Sequence, residues 1–251
     1  MKKITTLILI FILIFITNTS YAMPIFENRG KVLVLMYHKL STESTDWSDY
    51  CISPETFEND IKYLVSKGYE FVKASQLASE KITGRKIAII TFDDGYDSDL
   101  KYAVPILEKY SACATFFIFG DALGKNDYLT ENDVKIMSER QCAEIGNHSY
   151  MLHSNSPGEL NILYNSRKND MKIIDDFNKN GEFLKRITGK DITALSYPNG
   201  IYTENIDKKL KENGVKITFS TRKLAYSGVK PSVPVGRRTR SNSLKTEDII
   251  K

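Results

Sequence analysis

Residues 86–95 read Lys86-Ile-Ala-Ile-Ile-Thr-Phe-Asp-Asp-Gly95. An apolar run that scarcely alternates with polar residues predicts a strand covered on both faces, as in a parallel sheet. Upstream, Lys31–Tyr37 (KVLVLMY) has the same character. Between them Ser53-Pro54-Glu55 opens a helix, with Ser53 as N-cap and Pro54 at the first helical position. Phe57, Ile61 and Leu64 give this helix an apolar face and Gly68 ends it. Further strands are expected at 69–72, 114–119, 144–147, 193–197, 216–220 and 232–235. Helices are expected at 74–80, at 98–110 with a kink at Pro105, at 130–140 capped by Thr130, at 158–188 with a weak point near Gly181, at 203–213 and from 244. Repeated strand–helix alternation predicts an α/β fold: a single distorted (β/α) barrel with about seven parallel strands. An open doubly wound sheet is the alternative.

The chain has 251 residues, 41% hydrophobic and 26% charged, which excludes a collagen-like, low-complexity or disordered protein. Its net charge of +4 is spread among interspersed acids and bases, so no nucleic-acid partner is expected. Residues 1–22 differ from the rest. Lys2 and Lys3 precede an apolar run, Ile4 to Ile16, and Ser20-Tyr21-Ala22 follows as a small-residue cleavage site. That order predicts a secretory signal peptide, or else an N-terminal anchor, with the domain proper at 23–251 outside the cytoplasm. Its removal lowers the net charge from +4 to +2. Three cysteines allow one disulfide at most. Cys113, in Ala112-Cys-Ala-Thr-Phe-Phe117, reads as a small buried hydrophobe, and Cys51 and Cys142 stay open.

In an α/β barrel, reacting groups sit where strands finish. Four strand ends carry unusual residues: His38, Asp93-Asp94-Gly95, His148 followed by His153, and Tyr197-Pro198-Asn199-Gly200. All three histidines of the chain lie at such ends. Adjacent carboxylates after a buried strand raise each other's pKa unless a cation intervenes. A metal would resolve this, with one carboxylate as ligand and the other free as a base. Two imidazoles and a carboxylate leave positions open for water and substrate. Histidines five apart do not share a helical face, so His148 and His153 would have to converge through a turn. Each feature alone has a plainer reading: Asp-Asp-Gly as a turn, the histidines as core or surface residues. Their meeting on one rim is the stronger signal.

Thr91-Phe-Asp-Asp-Gly-Tyr96 resembles the first motif of the polysaccharide deacetylase family (the NodB-homology domain, carbohydrate esterase family 4), and the resemblance spans roughly 31–240. It implies a metal-dependent hydrolase that removes N-acetyl groups from an N-acetylglucosamine polymer. Asp93 would be the general base and Asp94 a metal ligand. Glu144-Ile-Gly-Asn-His148-Ser-Tyr-Met-Leu-His153 resembles the second motif, which supplies the two metal histidines with one residue more than the commoner spacing. That spacing, with Val34-Leu-Met-Tyr-His38, is similar to the exported poly-N-acetylglucosamine deacetylase branch, where the general-acid histidine comes from the N-terminal strand; His38 would take that role. Ser196-Tyr-Pro-Asn-Gly200 resembles a degenerate third motif without its Arg, and Tyr197 would offer its backbone N–H to an oxyanion. Arg237 or Arg238 could supply the missing positive charge, although such a run is usually a solvated face.

Zinc is the expected cofactor, with nickel, cobalt or iron also suited to the ligands. Trp47, Tyr50, Tyr150 and Tyr202 are candidates for stacking on sugar rings, against a plain reading as loop aromatics. The expected setting is a secreted monomer associated with the cell surface, wall or biofilm. A peptidoglycan deacetylase is the rival enzyme, and a non-catalytic carbohydrate-binding relative the rival of another class.

Overall fold

In the computed structural model, which describes residues 31–79, 85–221 and 233–250, the chain begins with β1 (Lys31–Tyr37). The leader expected at 1–22 lies outside the described residues. Two short strands, β2 (Lys39–Leu40) and β3 (Cys51–Ile52), pair with each other above β1. Then follow α1 (Pro54–Ser66), β4 (Glu70–Phe71), α2 (Ala74–Ser79) and β5 (Lys86–Asp94). The middle of the chain is α3 (Val104–Lys109), β6 (Ala114–Ile118), α4 (Glu131–Ser138), β7 (Ala143–Asn147), α5 (Pro157–Tyr164) and α6 (Asp170–Thr188). It closes with β8 (Ala194–Ser196), α7 (Glu204–Glu212), β9 (Ile217–Ser220), β10 (Val235–Gly236) and β11 (Arg238–Thr239).

β1 and β5 lie parallel and in register from Lys31 opposite Lys86 to Tyr37 opposite Phe92. β6, β7, β8 and β9 extend the sheet beyond β5, all parallel. β10 joins the free edge of β9, and β11 joins the free edge of β1. Only Arg237 separates β10 from β11, so one extended segment spans both edges and completes a nearly closed barrel. Counting that segment once, the barrel has the seven staves expected. β4 adds to the lower part of β5, opposite Ile87 and Ala88.

Because successive strand residues face opposite sides, β5 divides its side chains between two cores. Ile87 and Ile89 join Val34, Phe117, Ile217, Phe219 and Val235 in the barrel interior, which Ala74 and Leu77 of α2 plug at one end. Ala88, Ile90 and Phe92 face outward under α1, α3 and α4. There Phe92 is sandwiched between Tyr37 and Phe116, with ring centroids 5.2 and 5.1 Å away. Full burial of one such side chain is worth about 1.5–3 kcal/mol. The same alternation carries Thr91 and then Asp93 onto the inward face, toward the barrel axis.

Several helices form as the sequence predicts. Ser53 caps α1 and Gly68 leaves it at φ +72°, while Thr130 and Asp133 form a reciprocal capping box at α4. Three segments differ. The helix expected over 158–188 is two helices, parted at 165–169, where Asn169 Nδ2 donates to Leu163 O and satisfies a carbonyl left by α5. Gly181, the expected weak point, sits within α6. The segment 98–110 starts as a π-helical turn, Asp99–Ala103, before α3. Pro105 thus falls just after the π-helical turn, where the missing N–H leaves a carbonyl of that turn without its helix bond and the helix changes to α. Near the C-terminus only a 3₁₀ turn, Thr246–Asp248, is helical among the described residues. The expected strand at 232–235 starts outside the described residues, and its described part enters β10.

Asp99 opens the π-helical turn fully buried, and neither of its carboxylate oxygens has a hydrogen-bond partner. Burial, reinforced by Asp94, Asp97 and Asp93, pushes its pKa well above the ordinary carboxylate value. The folded protein therefore holds a proton that the unfolded chain releases above about pH 4, and stability falls as pH rises through that window. Asp99→Asn should raise the melting temperature at pH 7. The gain should fade toward pH 4, as thermal unfolding at the two pH values will read out.

Candidate active site and metal centre

β5 ends in Asp93 and Asp94, and the chain then turns sharply: Asp94 has φ +80°, rare for a residue with a side chain, and Gly95 follows at φ +80°. Backbone strain of this kind costs on the order of 1–3 kcal/mol and persists where surrounding structure enforces it. Here it sends the two neighbouring carboxylates to different tasks.

Asp93 is buried inside the barrel against Arg237, which is itself 1% exposed. Arg237 Nη1 donates to Asp93 Oδ1 at 2.6 Å and Nη2 to Asp93 Oδ2 at 2.7 Å, a planar two-pronged pair. The guanidinium also donates to Thr91 Oγ1 at 3.1 Å and to Ser196 Oγ at 2.7 Å, and packs against the rings of Phe117 and Phe219. Burial alone would raise the Asp93 pKa, but the charge of Arg237, helped by His148, holds it below the usual carboxylate value. Asp93 is thus ionised and fixed in orientation. Of the two arginines considered from sequence, Arg237 faces the site, while Arg238 is half-buried and donates to Ile249 O.

Asp94 meets the two histidines that follow β7. His148 Nε2 lies 3.4 Å and His153 Nε2 3.0 Å from Asp94 Oδ1. The ligand-capable atoms of the three residues all fall within 4.8 Å of one another. His148 Nδ1 is 2.9 Å from Ser196 O. A carbonyl can only accept, so Nδ1 carries a proton, which leaves Nε2 as the nitrogen available to a metal. That is the usual wiring of a metal-ligating imidazole.

The donor set fits a cation. Asp94 Oδ1 is buried and takes no hydrogen bond despite the two nearby imidazole nitrogens. Burial would raise the Asp94 pKa, yet His148 and His153 hold it well below the ordinary value. Burial would lower the His153 pKa, yet Asp94 raises it. Each shift favours positive charge where the three side chains meet. Two nitrogens and one carboxylate oxygen suit zinc and its first-row neighbours.

His38, one residue past β1, is half-buried within electrostatic reach of Asp94, Asp93, Arg237 and His148. Its Nδ1 has no hydrogen-bond partner, and its ring meets Tyr50 edge-on at 4.9 Å. Burial lowers its pKa against the opposing pull of Asp94 and Asp93. The preceding Tyr37 is anchored through its hydroxyl to the buried Asp60, which also binds Arg240.

Tyr197 stands differently from its expected role. Its backbone N–H donates to Phe219 O at 3.0 Å within the β8–β9 pairing, and its hydroxyl donates to Asp207 at 2.9 Å. The N–H is therefore engaged in the sheet, and the ring is packing: stacked on Tyr202 at 5.5 Å and edge-on to Phe177. The motif contributes through the neighbouring residue instead, since Ser196 gives its carbonyl to His148 and its hydroxyl to the Asp93–Arg237 pair. Sequence reading passed over Ser196; its place at the end of a buried strand was the available signal.

The aromatic candidates separate. Tyr50 is 60% and Trp47 38% exposed, both in the β2–β3 loop beside His38. Tyr150 is covered by Lys179 and Phe183, and Tyr202 lies over Tyr197.

With this geometry in view, the likenesses to known proteins take on meaning. The family model described as polysaccharide deacetylase matches residues 80–218, which contain the Asp93–Asp94 and His148–His153 clusters but neither His38 nor Arg237. A poly-beta-1,6-N-acetyl-D-glucosamine N-deacetylase of Staphylococcus aureus (strain MSSA476) is 27% identical over 218 residues, covering 79% of this chain and 74% of the relative. The structure of IcaB from Ammonifex degensii superposes with a TM-score of 0.75 at 24% identity, over 88% of this chain and 95% of that one. A de-N-acetylase from Aggregatibacter actinomycetemcomitans has the same fold, with a TM-score of 0.74 at 20% identity over 87% of this chain and 98% of that one. Among the described residues no helix is long and apolar enough to cross a membrane. The chain belongs to the polysaccharide deacetylase family and is a hydrolase of that kind.

Proposed function

We propose that this deacetylase removes N-acetyl groups from poly-N-acetylglucosamine outside the cytoplasm, using one divalent cation held by Asp94, His148 and His153. The observation that carries the reading is the convergence of those three side chains within 4.8 Å, beside a second carboxylate kept ionised by a buried arginine. Zinc is the proposed ion. Bound there, it would polarise the acetamide carbonyl and acidify a water.

The residues of the chain divide the proton traffic. Asp93, ionised and held by Arg237, accepts the proton of the attacking water at a carboxylate oxygen. Arg237 keeps that carboxylate from turning away and keeps it charged in a buried site. His38, in its protonated form, which Asp94 and Asp93 favour against burial, hands a proton to the departing sugar nitrogen, which would otherwise leave as an amide anion. Its ring edge sits against Tyr50, and the exposed Trp47 and Tyr50 offer faces on which a sugar can lie.

The name of the staphylococcal relative favours poly-N-acetylglucosamine over peptidoglycan. The sequence at 1–22 favours export, with a wall, surface or biofilm setting. Acetate release from purified poly-N-acetylglucosamine and from purified peptidoglycan, before and after chelation, tests the proposal. Turnover should be seen on the first polymer, fall to background after chelation and return with zinc. Turnover that survives metal removal would sink the cation; preference for peptidoglycan would sink the substrate.

A further inference from the structure

The two metal-binding histidines are separated by Ser149, Tyr150, Met151 and Leu152, and His153 sits in a short 3₁₀ turn, Leu152–Ser154. The turn is tight: Ser149 takes φ +73°. Its first half is tied to the barrel, since Ser149 N donates to Asn147 Oδ1 at 2.9 Å and Gly120 N to Ser149 O at 3.1 Å. Gly120 is required there, because a Cβ would strike Asn180 Oδ1 and lie 2.9 Å from the Tyr150 ring. The second half, which leads to His153, is held by a charge from another element. Asp176 of α6 accepts from Tyr150 N at 2.8 Å through Oδ1 and from Met151 N at 2.9 Å through Oδ2. The N–H of Leu152 also faces the carboxylate and favours its charged form. Successive N–H groups in a turn form a concavity that suits an anion, and a half-buried carboxylate fills this one.

We propose that Asp176 is the positioning residue of the metal centre: by gathering the N–H groups of 150–152 it fixes the turn that brings His153 to Asp94 and His148. It touches neither the ion nor the substrate. His153 N donates to Ser149 Oγ at 3.2 Å, so the histidine closes the turn that the carboxylate has shaped. Without Asp176 those N–H groups would have to turn to water. His153, the most exposed of the three ligands, would then be the one to drift.

This inference rests on the metal-centre reading, and zinc affinity, measured by competition with a chromogenic chelator, tests the two separately. Asp176→Asn keeps the shape but sets an amide N–H₂ against the backbone donors. It should weaken zinc binding about 10–100-fold, as loss of an outer partner of a metal site does. Asp175→Asn removes the same charge from the adjacent exposed position and should bind as the parent does. The cobalt-substituted forms should differ in visible absorption for Asp176→Asn and match for Asp175→Asn, a distinction that a general loss of stability would not produce. If Asp176→Asn folds poorly without metal, Asp176→Ser, which lacks the opposing N–H₂, carries the same comparison. Unchanged affinity and spectrum in the Asp176 variant overturn the positioning role. A parent protein that takes up no zinc overturns the metal centre itself.

Discussion

Asp93→Asn should lower acetate release by about 10²–10⁴-fold, the usual contribution of a positioned proton acceptor, while one zinc ion per chain is still taken up. The separation follows from geometry. Asp93 Oδ2 is 3.9 Å from His148 Nε2, and both oxygens are committed to Arg237, so Asp93 stands outside the ligand set. An asparagine keeps one acceptor for Arg237 but turns an N–H₂ toward the other guanidinium nitrogen. Some loss of melting temperature should therefore accompany the loss of turnover. Zinc stoichiometry and single-turnover acetate release, measured on the same preparation, separate the effects. Near-normal turnover would remove Asp93 from the base role; loss of the metal as well would mean that the two carboxylates act as one unit.

Arg237→Met should be the more damaging change to stability. It leaves the Asp93 carboxylate buried beside apolar rings without the guanidinium that pairs with both its oxygens. Breaking a buried ion pair from one side costs about 3–5 kcal/mol. The loss should depend on pH with a definite sign. In the parent, the lowered Asp93 pKa contributes stability above the unfolded value, and that contribution disappears as acid protonates the folded group. In the variant, burial acts unopposed by Arg237 and moves the pKa upward, so the deficit should be largest near pH 7 and shrink toward pH 4. The acid limb of kcat/KM should move to higher pH for the same reason. Arg237→Lys, which keeps charge but loses the planar fork, should recover part of the stability and less of the turnover. Thermal melts and pH–rate profiles of the two variants check this. An unshifted acid limb in Arg237→Met would show that Arg237 does not set the charge of Asp93.

The barrel was legible because its signals are local. KVLVLMY and KIAIITF announce strands buried on both faces, and Ser53-Pro54 and Thr130 announce helix starts, without reference to distant residues. The meeting of Asp94, His148 and His153 was legible because Asp94 ends one strand and the histidines follow another, and a barrel opens both onto one rim. What stayed open or escaped depends on partners far along the chain. The choice between Arg237 and Arg238 stayed open because Arg237 and Asp93 are 144 positions apart, and a basic pair after Val-Pro-Val-Gly looks like surface until β10 and β11 are seen to bracket it. Asp176 resembles any helix carboxylate until the turn at 150–152 is folded onto it. Tyr197 was misjudged for a related reason: β8 and β9 pair through it, so the backbone group expected to face substrate is used in the sheet.

The segment from Val235 to Thr239 has an implication for how the enzyme comes into being. It carries the side chain that pairs with Asp93 inside the barrel. Sealing the barrel and neutralising its buried carboxylate are thus a single molecular event. While this stave is undocked, β9 and β1 keep open edges and Asp93 has no guanidinium to face.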